Sequence, residues 1–269
     1  MTYITVVKSD SESRRVDEII KKSLKIEQDS QNPDYVIAIG GDGTIIKASH
    51  KYPNAIIFGV HTGHLGFYAN YNVDTINDLI EDINSNNFEC HEIDILSCEL
   101  ITKNKNILLG NALNEITILT PLKALTMDVF IDGDYFETFK GTGLCVSTPF
   151  GSTAYNRSLN GAIVDTSLSA IQVTAIAGIN SNAYRTLSSP LVLNSERILE
   201  LRCKNYGDKV YITIDHEAKE VGSYVSIKIH QADYKVKMAY HRYEDQLKRI
   251  RRTFLKWFPK TFKINKTFT

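Results

Sequence analysis

The chain has 269 residues, of which 43% are hydrophobic and 23% are charged, and its 31 basic and 31 acidic residues balance to zero net charge. This composition is typical of a globular protein with one large or two small domains. No apolar run approaches the ~20 residues of a spanning helix, and no signal-peptide pattern is seen at the start, so we expect neither a membrane protein nor a secreted one.

Up to about residue 94, strand patterns alternate with helix patterns. The short apolar runs "YITVVKS", "DYVIAI" and "AIIFGV" predict buried strands. Apolar residues at helical spacing over 16–24 and 76–83 predict helices, the second capped by Asp74. Alternation with short loops predicts an α/β domain over 1–94 with a parallel sheet.

Two glycine segments follow predicted strands of this domain. In the first, Gly40, Gly41 and Gly43 surround Asp42, and "TIIKASHKY" then predicts a short helix that ends before Pro53. Such a turn admits a phosphate to bare backbone at a helix start, or it simply turns the chain with Asp42 as helix cap. The second segment is "GVHTGHLGF", 59–67. Both are expected at the carboxyl edge of the sheet, where ligands bind.

From about residue 95 the apolar period changes to two. "LTMDVFIDGDYFETF" predicts a hairpin that turns at Asp132-Gly133, and four later segments alternate in the same way. One helical stretch is predicted near 167–178. We therefore expect a mainly antiparallel β domain over 95–245, and a ligand cleft between two unlike domains.

The remaining residues, 246–269, form a basic segment. From Lys248 onward there are eight basic residues and no acid, so the preceding chain carries a net charge of −8. Such a segment suits nucleic acid or an anionic membrane. The favoured alternative is an amphipathic helix that packs on the N-terminal domain, with charges in solvent and Ile250, Phe254, Trp257 and Phe258 toward the core. No nucleic-acid or membrane partner is expected.

The cysteines and histidines indicate no disulfide or metal framework. The four cysteines are scattered without a CxxC pair, at Cys90, Cys98, Cys145 and Cys203. This usage suggests reduced thiols in a cytoplasmic protein. His61 and His64 are three residues apart, but no second ligand pair accompanies them, so no zinc site is expected.

Three further segments are rich in small and polar residues: "LNEITIL" (113–119), "FKGTGLCVSTPFGSTAYNRSLNGA" (139–162) and "INSNAYRT" (179–186). Together with "GGDGT" and "HTGHLGF" they closely resemble the NAD kinase family, in order and spacing, as far as the "IDH" of 214–216. "GGDG" alone also occurs in diacylglycerol-type lipid kinases and phosphofructokinases. The series "GxLGF", "NE" and "TPxGSTAYN" is far more specific.

The resemblance implies a two-domain NAD kinase-like fold and ATP-dependent phosphorylation of the adenosine ribose 2′-hydroxyl of NAD, giving NADP. It implies ATP as the phosphoryl donor and Mg²⁺, or another divalent cation, held through the nucleotide phosphates with no protein ligands assigned. It also implies a cytoplasmic homodimer or homotetramer, whose sites are completed between subunits.

The same resemblance implies roles for individual residues. Asp42 matches the aspartate of the family's glycine turn, which contacts and deprotonates the 2′-hydroxyl, and Gly43 lines the same spot. The other implied NAD- or ATP-binding positions are Phe67, Asn114, Glu115, Lys140, Thr142, Thr153, Ala154, Tyr155, Asn156, Ser158, Ala177, Tyr184 and His216. Asn114 and Glu115 match the pair that holds the ribose, while Ala177 and Tyr184 match positions near the nicotinamide.

Several positions depart from the family pattern. Thr142 stands in Lys-Gly-Thr-Gly where Arg-Gly-Asp-Gly is common, so a carboxylate near the nicotinamide amide is missing. Phe150 replaces a small polar residue, Asn160 replaces a glycine, and Asp165-Thr166 replaces His-Pro. These departures concern the nicotinamide side and leave the Asp42 side unchanged.

Two rival functions remain open on the sequence. A lipid kinase shares the glycine turn but needs an apolar slot for acyl chains, whereas residues 147–161 are polar. A non-catalytic NAD(P)-sensing protein would keep the fold without turnover. The presence of Asp42 and the Asn114-Glu115 pair favours the kinase.

Overall fold

The computed structural model describes residues 1–63, 66–182, 185–204, 209–222, 224–244 and 246–255. The chain divides into two compact units. The first comprises Met1–Ala48, Ala55–His91 and the described residues from Met238 onward, and the second comprises Ser49–Asn54 and Glu92–Lys237. The boundary at His91 and the predicted one at 94 both fall within one strand, Glu89–Ile101.

The first unit is an α/β structure. Its elements in chain order are β1 (Thr2–Val7), α1 (Ser11–Ser23), β2 (Glu27–Gln28), β3 (Tyr35–Ile39), α2 (Asp42–Lys51), β4 (Ile56–His61), β5 (Tyr71–Asn72) and α3 (Ile76–Ser85). The last three residues of α2 are assigned to the second unit. The strands pair in the order β5-β4-β3-β1-β2, and every one of these pairings is parallel. The predicted parallel α/β fold is therefore confirmed.

The core of this unit explains why its strands are apolar runs. All five residues of β3 are buried, because neighbouring strands flank it on both sides. Val16 and Ile20 of α1 and Leu79 of α3 pack into the same hydrophobic cluster. The predicted cap of the second helix is wrong. Asn72 rather than Asp74 forms the capping box with Thr75, at the short 3-10 turn that precedes α3.

The second unit contains most of the strands. In chain order they are β6 (Glu89–Ile101), β7 (Asn106–Ala112), β8 (Glu115–Leu119), β9 (Leu125–Ile131), β10 (Asp134–Gly141), β11 (Gly143–Ser147), then α4 (Tyr155–Ser158), β12 (Ala170–Ile176), β13 (Leu191–Asn194), β14 (Leu199–Cys203), β15 (Val210–Ile214), β16 (Glu217–Val221) and β17 (Ser226–Tyr240). The first three residues of β6 and the last three residues of β17 belong to the first unit.

These strands form two layers around one apolar core. One layer is a six-stranded antiparallel sheet in the order β13-β12-β11-β8-β15-β16. The other contains the antiparallel run β10-β9-β14-β17, with the pair β6-β7 beside β17. Residues of both layers share one buried cluster, for example Ile116 and Met127. The predicted antiparallel β domain is confirmed.

The hairpin at Asp132-Gly133 is confirmed as well. It joins β9 to β10, and both turn residues have positive φ, 52° and 89°. A two-residue turn with this conformation matches the twist of the flanking strands, which is why Asp-Gly is a strong hairpin signal.

The prediction of a helix near 167–178 is wrong, because residues 170–176 of this stretch form β12. Ile171, Val173 and Ala175 face the apolar cluster in alternation. Gln172 and Thr174, between them, hydrogen-bond the polar loop that follows β11. A short apolar run does not by itself distinguish a buried helix from a strand whose polar face is also covered.

The basic segment begins with α5 (Gln246–Phe254), which belongs to the first unit. The predicted helix is present, but not every charge on it faces solvent, because the side chain of Arg249 is buried. Trp257 and Phe258 lie outside the described residues. Of the helices that the structure describes, none is long and apolar enough to cross a membrane.

Candidate active site

The glycine turn of the first unit connects β3 to α2. Gly40 has a φ of +154°, and its N–H donates to Val60 O at 2.8 Å. A Cβ there would lie 2.4 Å from Thr44 Oγ1, so only glycine fits. Gly41 and Gly43 are exposed, and a Cβ at either would meet no atom within 4 Å. The backbone at the start of α2 is thus open to an approaching ligand.

The carboxylate of Asp42, the first residue of α2, accepts hydrogen bonds from outside its own helix. Oδ2 accepts from Phe67 N at 2.8 Å, and Oδ1 accepts from Tyr68 N at 3.1 Å. A Cβ at Gly66 would lie 2.1 Å from Oδ1, so this approach requires glycine. The structure therefore links the two predicted glycine segments through Asp42, whose oxygens are used by another loop rather than as a cap of α2.

In the second unit, the Asn114-Glu115 pair is held by a carboxylate distant in sequence. Asp215 accepts from Leu113 N at 2.9 Å, Asn114 N at 2.7 Å and Glu115 N at 3.2 Å. Its side chain is only 1% exposed. Asp215 occupies the tight turn between β15 and β16, with a positive φ of 52° that Asp tolerates. Three N–H donors on one buried carboxylate fix the backbone of the pair.

A histidine completes this arrangement. His50 Nε2 lies 2.8 Å from Asp215 Oδ2, and the His50 ring stacks on His216 with centroids 5.8 Å apart. His216 was expected at the site, whereas Asp215 and His50 were not. The "IDH" segment was a signal for Asp215, but nothing in the sequence near His50 indicated that it would meet residues so far along the chain.

Glu115 is a buried acid in an unusual state. Burial, and then the charge of Asp215, raise the pKa of Glu115 to about 8. A hydrogen bond from the Tyr155 backbone lowers this pKa by a smaller amount. Oε2 is buried and has no hydrogen-bond partner among the described residues. Near neutral pH the side chain is therefore a carboxylic acid that can donate a hydrogen bond.

The polar loop after β11 packs directly on this pair. Thr148 N donates to Asn114 O at 2.9 Å, and Thr148 Oγ1 donates to Leu113 O at 2.8 Å. A Cβ at Gly151 would lie 2.0 Å from Asn114 O, so the loop and the pair approach as closely as backbones can. The structure thus brings together Asn114, Glu115 and the start of the "TPFGSTAYN" loop.

Within this loop the expected binding residues differ in exposure. Ala154 is half-buried and Tyr155 and Ser158 are exposed, whereas Thr153 is nearly buried. Asn156 is fully buried: its Oδ1 accepts from Thr174 Oγ1 at 2.6 Å, and its Nδ2 donates to Ser152 O and Ala162 O. The amide of Asn156 ties the loop to itself and to β12.

Two of the departures from the family pattern have local explanations. Asn160 has a φ of +60°, the left-handed conformation that suits glycine and that asparagine also adopts. Asp165 begins a turn in which its Oδ1 accepts from Ser167 N at 2.8 Å. Nothing in the structure explains Phe150.

Lys140, Thr142 and Ala177 lie together at another corner of this unit. Thr142 N donates to Ile176 O at 2.9 Å, and Ile179 N donates to Lys140 O at 2.7 Å. Ala177 has a φ of +46°, which is rare for a residue with a Cβ. Tyr184, expected beside them, lies outside the described residues. Asp42, Gly43 and Phe67 belong to the first unit, and the other expected residues that are described belong to the second.

The described residues include no group of three or more His, Cys, Asp or Glu side chains that could hold a metal ion. The four cysteines are all free thiols, and Cys98 and Cys145 are buried.

Two family models match the chain: the ATP-NAD kinase N-terminal domain over residues 5–88, and the ATP-NAD kinase C-terminal domain over residues 113–240. Relatives named NAD kinase from Staphylococcus aureus, strains JH9 and Newman, are 40% identical over 266 residues, which cover 95% of this chain and 98% of each relative.

Two solved structures share the fold. A yeast NADH kinase complexed with NADH has a TM-score of 0.78 and 20% identity, with 100% of this chain and 88% of that chain covered. An NAD kinase from Archaeoglobus fulgidus in complex with ATP has a TM-score of 0.74 and 24% identity, with 93% and 97% covered.

Proposed function

This chain belongs to the ATP-NAD kinase family, and we propose that it phosphorylates NAD with Asp42 as the proton acceptor. The reaction transfers the γ-phosphoryl group of ATP to the 2′-hydroxyl of the adenosine ribose, and the products are NADP and ADP. The observation that supports this role is the fixed carboxylate of Asp42, held by the N–H groups of Phe67 and Tyr68 beside the open backbone of Gly41 and Gly43.

The chemistry required of Asp42 is modest. The transition state of phosphoryl transfer is loose, so positioning and charge neutralisation matter more than a strong base. An aspartate carboxylate is too weak a base to ionise a ribose hydroxyl beforehand. It accepts the proton late, as the new P–O bond forms and the bond to ADP breaks.

The exposed backbone of Gly41 and Gly43 at the start of α2 suits the phosphates of a nucleotide. The carboxylate of Asp42 would repel a triphosphate unless a cation neutralised it. Mg²⁺ characteristically binds one or two carboxylates together with substrate phosphates. When bound, Mg²⁺ would neutralise charge on the triphosphate.

In the second unit, we assign Asn114 and Glu115 to the ribose. Protonated Glu115 would donate a hydrogen bond to a ribose oxygen through Oε2, the atom without a partner among the described residues. Thr153, Ala154, Tyr155 and Ser158 would line the nucleoside, with Asn156 as the internal brace of their loop. His216, stacked on His50, would also line the nucleoside.

We assign Lys140, Thr142, Ala177 and Tyr184 to the nicotinamide half, and Phe67 and Gly43 to the neighbourhood of Asp42. The family resemblance implies that a second subunit completes the binding site near the nicotinamide, so we propose a homodimer or homotetramer. The four free thiols agree with a cytoplasmic location.

The lipid-kinase alternative is not supported by the loop on Asn114. Its interior is polar, with Ser152, Asn156 and Thr174 joined by hydrogen bonds, which leaves no apolar slot for acyl chains there. A non-catalytic NAD(P)-sensing protein differs from a kinase in turnover alone, so an activity assay separates the two.

The assay uses purified full-length protein with NAD, ATP and Mg²⁺, and detects NADP with an NADP-specific dehydrogenase. Steady formation of NADP is expected, with none when ATP or Mg²⁺ is omitted. Replacing ATP by polyphosphate, and NAD by NADH, defines the donor and acceptor range. NAD binding without NADP formation would instead indicate the sensing protein.

A further inference from the structure

Arg249, on α5, is a buried basic residue. Its side chain is 6% exposed, whereas the adjacent Lys248 is exposed. A buried guanidinium is costly unless its donors are used. Here Nη1 donates to Phe67 O and Nη2 donates to Asn70 Oδ1. Nε makes no hydrogen bond to a described residue and lies 3.8 Å from Glu244 Oε2, and the guanidinium carbon lies 5.5 Å from the Tyr240 ring centroid.

These contacts end on the same loop that holds Asp42. Phe67 donates its N–H to Asp42 Oδ2 and accepts at its carbonyl from Arg249. The ring of Phe67 also packs against Phe254 of α5, with centroids 5.3 Å apart. The segment 66–70 is therefore fixed on one side by Asp42 and on the other by α5, all within the first unit.

We propose that Arg249 is a positioning residue for phosphoryl transfer: it holds Phe67–Asn70 so that the N–H groups of Phe67 and Tyr68 point at the Asp42 carboxylate. Both oxygens of Asp42 depend on this one loop for their orientation. The inference rests on the proposed role of Asp42. It gives the basic segment a function that does not involve nucleic acid or membrane.

Arginine suits this task because of its shape. A planar guanidinium presents several donors in a rigid fork, so one side chain bonds a main-chain carbonyl and a side-chain amide at once. A lysine would supply the charge but would not hold both acceptors in the same geometry. The brace therefore depends on the fork as well as on the charge.

The test compares full-length wild type with Arg249→Ala, Arg249→Lys and the control Lys248→Gln, which removes one positive charge from the exposed face of the same helix. Hydrogen exchange of the Phe67 and Tyr68 amides is measured without substrate, and kcat and the NAD KM are measured with ATP and Mg²⁺. In Arg249→Ala we expect exchange to quicken by about tenfold or more, since displaced hydrogen bonds open locally.

In the same variant kcat should fall about 100-fold, as a displacement of roughly 1 Å does, with the NAD KM changed only a few-fold. Added guanidinium at low millimolar concentration should restore part of kcat. The kcat of Arg249→Lys should lie between those of Arg249→Ala and wild type, and the kcat of Lys248→Gln should match that of wild type. If Arg249→Ala is unfolded by circular dichroism, Asn70→Ala, which removes one acceptor and leaves α5 unchanged, takes its place.

Unchanged amide exchange in the folded variant would overturn the brace. Faster exchange with a wild-type kcat would overturn its role in the reaction. Because exchange is measured without substrate, its result stands even if Asp42 proves not to be the proton acceptor, so the two ideas fail separately.

Discussion

The backbone N–H of Glu115 donates to Asp215 Oδ1 at 3.2 Å, and the charge of that same carboxylate, after burial, is the second cause that raises the pKa of the Glu115 side chain to about 8. One buried carboxylate thus fixes the backbone of its neighbour and helps to keep that neighbour protonated. An acid whose pKa is raised by burial and by a neighbouring charge is common at functional sites.

Glu115→Gln should bind NAD within about threefold of wild type at pH 7, because glutamine mimics the neutral acid. Since the pKa of Glu115 is about 8, wild-type affinity should fall by about tenfold one pH unit above it, and the variant should show no such loss. Isothermal titration calorimetry between about pH 6 and pH 9 measures this. Parallel pH profiles for the two proteins would contradict it.

The same variant has a predicted stability profile. A raised folded pKa means that the stabilising contribution of the protonated acid is fully present below its unfolded pKa of about 4.5 and is lost as pH rises through about 8. The wild-type Tm should therefore decline across this window relative to that of Glu115→Gln.

Asp215→Asn should destabilise the second unit. Asparagine offers one acceptor oxygen without charge to three backbone N–H groups, and hydrogen bonds to charged groups are worth about 1.5–3 kcal/mol each. We expect at least about 2 kcal/mol less stability, weaker NAD binding and a lower pKa for Glu115. Thermal unfolding and a carboxyl titration by NMR test this, with the exposed Asp134→Asn as control. Wild-type stability would refute the prediction.

Gly66→Ala should displace the Asp42 carboxylate, because the new Cβ would lie 2.1 Å from Oδ1. A misplacement of roughly 1 Å can lower a rate about 100-fold, so a loss of that order in kcat is expected. Gly222→Ala is the matched control, since a Cβ there meets no atom within 4 Å. Equal rates for the two variants would show that the contact with Asp42 does not matter.

Thr142→Asp restores the carboxylate that the family pattern has near the nicotinamide. A well-placed charged hydrogen bond contributes roughly 1.5–3 kcal/mol, so NAD should bind about tenfold more tightly or better. The rate at saturating NAD should change little, because the reacting hydroxyl is on the other ribose. Unchanged affinity with a large loss of saturated rate would place Thr142 near Asp42 instead.

Local pattern was enough to predict the two kinds of sheet, the glycine turn at Asp42 and the hairpin at Asp132-Gly133. It was not enough to predict β12. The polar residues Gln172 and Thr174 of this strand are buried under a loop and do not face solvent, as the polar residues of an amphipathic strand usually do. The predicted cap before α3 was Asp74, whereas the capping residue is Asn72, two positions earlier.

The long-range part of the site was not predictable from one sequence. Asp215 meets Leu113–Glu115, about 100 residues earlier, and His50 lies 165 residues from Asp215. Arg249 looks like one of several solvated charges until α5 is seen against the loop at Phe67. Each of these contacts depends on tertiary packing, which leaves no periodic signal in the chain.

The most direct test of the proposed active site is the rate of NADP formation by Asp42→Asn at saturating NAD and ATP, measured beside NAD binding. The substitution keeps the size of the side chain but removes the proton acceptor. We predict a loss of at least about 100-fold in turnover, with NAD bound within a few-fold of wild type. A variant that retains near wild-type turnover, or one that loses NAD binding and activity together, would contradict the role of Asp42 as the proton acceptor.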